Sequence, residues 1–188
     1  MTIVLIILGI LFGFALIFGL WFMGAYNSLV GGKNKVKESW SQIDVQLKRR
    51  YDLIPNLVET VKGYASHEKE TLDAVIQARN MAMNATGPHD QANAENMITG
   101  ALKSVFALSE AYPDLKANQN FAQLQEELTG TESRIAYARQ FFNDVVNKYN
   151  TKIQSFPALL VAGPLRFTER EYFEADDGSR GPVNVSFS

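Results

Sequence analysis

Trp40-Ser41-Gln42-Ile43-Asp44-Val45-Gln46-Leu47-Lys48-Arg49-Arg50-Tyr51-Asp52-Leu53-Ile54-Pro55-Asn56-Leu57-Val58 is the stretch on which the fold turns. Apolar residues recur at Trp40, Ile43, Leu47, Tyr51, Ile54, Val58, Val61 and Ala65, then at Leu72 and Val75, with Glu68 the polar interruption. The steps alternate between three and four, which lays the side chains along one stripe of a packed α-helix. Pro55 falls inside the ladder. It has no N–H to give the carbonyl of Tyr51, so it predicts a kink and not an end. Val45, Leu53 and Leu57 lie off the main seam and form a second apolar face. Either the helix is central and internal, or that face meets a second partner.

Outward toward the C-terminus, Thr86-Gly87-Pro88 is the first convincing break. A second ladder runs Ala94, Ile98, Ala101, Val105, Leu108 and stops at the turn signal Tyr112-Pro113-Asp114. A third runs Phe121, Leu124, Leu128, Thr131, Ile135, Ala138, Phe142, Val145, Tyr149, weakened locally by Gly130. No stretch between 36 and 155 sustains period-two alternation. The expectation is an all-α chain, with an antiparallel bundle over residues 26–157 built from helices at about 27–85, 91–111 and 114–155. Beyond Phe156-Pro157 the helical pattern is lost. The segment 158–188 reads as an extended tail whose aromatics Phe167, Tyr172, Phe173 and Phe187 dock it on its own bundle or on a neighbouring copy. Its acidic residues Glu169, Glu171, Glu174, Asp176 and Asp177 are candidates to meet the basic Lys48-Arg49-Arg50 cluster.

Toward the N-terminus, Thr2 to Met23 carries no charged side chain. As a helix these residues rise about 33 Å, against a hydrocarbon core of roughly 30 Å. A cleaved signal peptide fits poorly, because no basic residue precedes the run, the run is long, and no small-x-small cleavage site ends it. Residues 1–25 therefore read as a single transmembrane helix. Gly9 with Gly13, and Ala15 with Gly19, put small residues at spacing four, which lets two membrane helices approach. Trp21 and Tyr26 suit an interface, and Lys33, Lys35 and Lys37 suit anionic headgroups. Positive charge follows the span and none but the α-amino group precedes it. The charge rule thus places the body in the cytoplasm, with a periplasmic body as the alternative.

Composition removes several function classes. The 188 residues hold 18 Lys and Arg against 20 Asp and Glu, a net charge of −2, which is unlike a general nucleic-acid binder. Cysteine is absent, which excludes disulfides, thiolate metal sites and a cysteine nucleophile. His67-Glu68 lacks the second histidine of a zinc-protease helix, since position 71 is Thr71. Gly31-Gly32-Lys33 lacks phosphate-loop spacing, and Asp144 has no visible partner. No catalytic, cofactor-binding or metal-ligating residue is expected. The candidate subunit or partner surface is Val45, Lys48, Arg49, Arg50, Leu53 and Leu57, with Phe167, Tyr172 and Phe173 of the tail.

Several stretches resemble the LemA family: Tyr26-Asn27-Ser28-Leu29-Val30, Trp40 through Arg50, Asp52 through Val58, Val61-Lys62-Gly63-Tyr64, Ala78-Arg79, Tyr112 through Lys116, Glu132 through Arg139, Tyr149-Asn150 and Phe156-Pro157. The resemblance implies a bacterial inner-membrane protein with one N-terminal span and a helical bundle. The family has no associated enzymatic activity or cofactor, and one branch is linked to building magnetosome membranes. Two functions follow as expectations. The first is a non-enzymatic structural protein that self-associates into a large oligomer and organises or shapes the inner membrane. The second is a tethered adaptor that recruits an envelope-stress or signalling partner.

Overall fold

A computed structural model describes residues 1–174, and among these every regular element is an α-helix. The order is α1 (Thr2–Lys62), α2 (Lys69–Met83), α3 (Gly87–Ala111), α4 (Pro113–Lys116), α5 (Gln119–Gln154) and α6 (Leu159–Ala162). The chain divides into two compact units. One joins Met1–Trp40 to Asp144–Arg170, and the other comprises Ser41–Asn143 with the segment from Glu171.

In the second unit the 41–62 part of α1, α2, α3 and the 119–143 part of α5 alternate in direction. At one end Tyr112, just past α3, donates to Glu68, just past α1, at 3.0 Å. At the other, Gln91 of α3 donates to the carbonyl of Ala82 of α2 at 3.2 Å. Ile54, Leu57, Val61, Val75, Ile98, Val105, Leu115, Phe121 and Leu128 pack into one core. The first unit sets the 1–40 part of α1 beside the end of α5, again antiparallel, around Leu29, Val36, Val146, Tyr149, Ile153 and Val161. A Cβ on Gly32 would lie 3.1 Å from the Tyr149 ring, so glycine permits this close approach.

The helix expected over 27–85 is interrupted. Residues 63–68 form turns between α1 and α2. The ladder hid the break because Ala65 sits at helical spacing from Val61 and is buried there, still donating to the Val61 carbonyl at 2.8 Å. The polar interruption at Glu68 marks the true start of the next helix. Pro55 lies inside α1, which continues unbroken through it. The Tyr51 carbonyl, which loses its helical donor, instead accepts from Arg79 Nε at 2.8 Å. Gly87 opens α3 at φ +85°, a conformation that costs little only for glycine, and Pro88 follows in the first turn, where its missing N–H is not needed. Residues 158–174 are not wholly extended, since α6 forms one short turn; residues 175–188, with Asp176, Asp177 and Phe187, lie outside the described residues.

Candidate functional site

The most ordered polar chemistry lies in the second unit, around Arg50. Its side chain is 2% exposed, on the same stripe as Ile43, Leu47, Ile54, Leu57 and Val61. Nη1 meets Glu95 Oε2 at 2.9 Å, and Nη2 meets Glu132 Oε2 at 2.7 Å and Thr99 Oγ1 at 2.8 Å. Tyr51 donates its hydroxyl to Glu95 Oε1, and Gln91 Nε2 donates to the Tyr51 hydroxyl at 2.8 Å. Helices α1, α3 and α5 are thus joined through one guanidinium. Burial pushes the Glu95 carboxyl above its usual range, against the opposing pull of Tyr51, Arg50 and Gln91. Burial, then the adjoining Glu95, also raises the Tyr51 hydroxyl, which stays a protonated donor. Arg50 Nε has no partner among the described residues.

This arrangement corrects the interface expected at Arg50 and Leu57. Both face the core, because Arg50 occupies a seam position that its charge disguised, and two carboxylates make its burial tolerable. Arg50, so enclosed, pairs within the bundle and not with the acidic tail, of which Asp176 and Asp177 lie outside the described residues. Arg49, exposed, binds Glu127 at 2.7 Å and holds that carboxyl below its usual range. Lys48 is exposed. Val45 is 64% exposed, and Leu53 is half-buried beside the core. Leu53 also lines an open groove of about 330 Å³ with Asn56, Thr60, Asn120, Gln123, Leu124 and Glu127.

The tail docks on its own chain. In the second unit Asn143 accepts from the N–H of Phe173 at 2.8 Å and donates to its carbonyl at 3.3 Å. The Arg139 guanidinium lies 5.0 Å from the Phe173 ring centroid, and that ring is fully buried. Phe173 is therefore an internal anchor and not a partner surface; Tyr172 is half-buried. In the first unit Asn150 treats Arg170 the same way, at 2.8 and 2.9 Å, and Gln154 donates to Glu169 at 2.7 Å. An asparagine amide has one acceptor and one donor face, so it can pair with a peptide unit as a neighbouring strand would. Sequence reasoning missed Asn143, Asn150, Glu95 and Thr99. For Glu95 and Asn150 the signal was polarity at a buried helical position; Thr99 and Asn143 are half-buried beside such positions.

The membrane-facing candidates sit in the first unit. The stretch that precedes Met23 leaves its large apolar side chains exposed, and its helix is long and apolar enough to cross a membrane. Cβ atoms at Gly9, Gly13 and Gly19 would meet nothing, and Ala15 is exposed, so this face is open. Trp21 packs 5.4 Å from Phe18, and Tyr26 meets Phe167 edge-on at 6.1 Å, which half-buries Phe167. Lys33, Lys35 and Lys37 are exposed. Among the described residues no group of three His, Asp or Glu is placed to hold a metal ion.

Known proteins match this sequence. The LemA family profile matches residues 39–187. A relative called Protein LemA, from Metamycoplasma hominis, is 30% identical over 90% of this chain and 78% of its own length. Magnetosome protein MamQ 2 of Paramagnetospirillum magneticum is 23% identical over 84% of this chain and 68% of its own. Magnetosome protein MamQ of Magnetospirillum gryphiswaldense is 24% identical over the same shares. With the profile covering most of the sequence, from one residue before Trp40 into the tail, the chain belongs to the LemA family.

Proposed function

We propose that the protein is a non-enzymatic, membrane-anchored structural component that self-associates into a large oligomer and organises the bacterial inner membrane. The observation that carries this reading lies in the first unit. The exposed apolar stretch of α1 runs on, within the same helix, into residues that pack against the end of α5. Anchor and domain base are thus one piece, so assembly of the domains would bear directly on the bilayer. The open small-residue face of the span and the exposed Val45 are the surfaces offered for self-contact. Lys33, Lys35 and Lys37 would meet anionic headgroups, with the body in the cytoplasm. Relatives named as magnetosome proteins support a role at a membrane.

The test is the mass of full-length particles in mild detergent, by light scattering with electron-microscope images of the same fractions. Large, regular particles are expected, and Val45→Asp should shift them toward smaller species with helicity retained. A monomer or dimer under all mild conditions would turn the reading to the tethered adaptor.

A further inference from the structure

The first unit carries a second apolar surface beside the end of the span. Residues 156–165, Phe-Pro-Ala-Leu-Leu-Val-Ala-Gly-Pro-Leu, contain no charged side chain. Val161 and Ala162 are buried and hold the turn in place, while Phe156, Leu159, Leu160 and Leu165 are 81, 49, 57 and 43% exposed. A contiguous exposed apolar patch of this kind marks a contact surface.

Its level is set by the antiparallel pairing. Tyr149 packs at Gly32, Lys152 donates to the Ser28 hydroxyl, and Phe167 returns against Tyr26. Descending α5 by three residues from Tyr149 to Lys152 thus matches descending α1 by four, from Gly32 to Ser28. On that register Phe156 comes level with Met23 to Gly24, within ~1.5 Å of the last residue of the apolar run. The turn lies where a bilayer surface would lie.

Much of the turn's backbone is bonded internally. Every N–H from Leu159 to Phe167 donates to a carbonyl between Ser155 and Gly163, at 2.9–3.4 Å, except at Pro164, which has none. That internal bonding lowers the cost of resting at the interface, where water still reaches the turn's remaining backbone groups.

We propose that the 156–165 turn inserts Phe156, Leu159, Leu160 and Leu165 into the leaflet that α1 enters, as a second membrane contact of the same chain. The proposal rests on α1 as a membrane span. Side chains at such an interface reach roughly 5–10 Å below the headgroups.

The chain has no cysteine, so a single introduced thiol can be labelled uniquely. Full-length protein with Leu160→Cys, Leu16→Cys or Asp73→Cys carries a small environment-sensitive fluorophore in phosphatidylcholine–phosphatidylglycerol vesicles. Far-UV ellipticity confirms each fold. Nitroxide-bearing lipid and aqueous iodide are the two quenchers. For an interfacial turn, lipid nitroxide should quench the Leu160 label at least about twofold more than the Asp73 label, and iodide correspondingly less. If the Leu160 label follows Asp73 while the Leu16 label is lipid-quenched, the span stands and the proposal falls. If the Leu160 label is shielded from both quenchers, protein covers the turn and the proposal again falls. If the Leu16 label escapes lipid quenching, the span reading fails and takes the proposal with it.

Discussion

Replacing Arg50 with methionine keeps most of its volume and removes its charge. Glu132 is 46% exposed and can rehydrate, whereas Glu95 is 3% exposed and is left as a carboxyl in the core. Breaking one side of a buried pair costs about 3–5 kcal/mol, nearly all of it here at Glu95. A loss of that size lowers Tm by roughly 6–20 °C for a protein of this length, at about 2–4 °C per kcal/mol. The effect depends on pH with a definite sign. Burial already holds Glu95 above its ordinary 4.5, and without the guanidinium it rises further. A carboxyl raised in the folded state contributes stability below its ordinary value and loses it as the pH climbs through the raised one. Arg50→Met is therefore least damaging in acid and most damaging at neutral pH. Glu95→Leu added to it should recover most of the loss, since an apolar replacement of a buried pair is often neutral or better. The assay is urea unfolding of the full chain in mild detergent, followed by far-UV ellipticity between acid and neutral pH. An Arg50→Met protein within about 1 kcal/mol of the parent at every pH would refute the argument that the pair is a coupled, buried unit.

Arg79→Met removes the donor that serves the Tyr51 carbonyl and should cost about 1–3 kcal/mol by unfolding. In a Pro55→Ala background the helical N–H is restored, so the same change should cost markedly less; strict additivity of the two would sink the account. Asn143→Leu deletes both bonds to Phe173, and limited proteolysis should then cut near residue 174 faster while the helices persist. Unchanged cleavage would mean that the buried Phe173 ring holds the segment unaided.

The helical class, the ladders of α1 and α5 and the Pro55 bypass were legible because apolar periodicity and proline chemistry are local. The third ladder falls largely on buried positions, from Phe121 through Ile135 to Tyr149. What was not legible shares one property. Arg50, Glu95, Ser109 and Asn150 are buried polar residues on helix stripes, and hydropathy scores them as surface. Position alone would have found them. Counting by three and four through Ile43, Leu47, Ile54, Leu57 and Val61 leaves a vacancy at 50, and Ile98, Leu102 and Val105 leave vacancies at 95 and 109. A charged residue filling such a vacancy demands an opposite charge on a facing stripe, and Arg50 with Glu95 is that pair. Of the basic cluster expected to meet the acidic tail, Arg50 could not, because its register had already enclosed it. The turn at 156–165 was opaque for the converse reason. Too short to display a period, it read as the bundle's end at Phe156-Pro157 and the start of an extended tail, and its apolar character acquires meaning once Tyr149, Lys152 and Phe167 fix its height against α1.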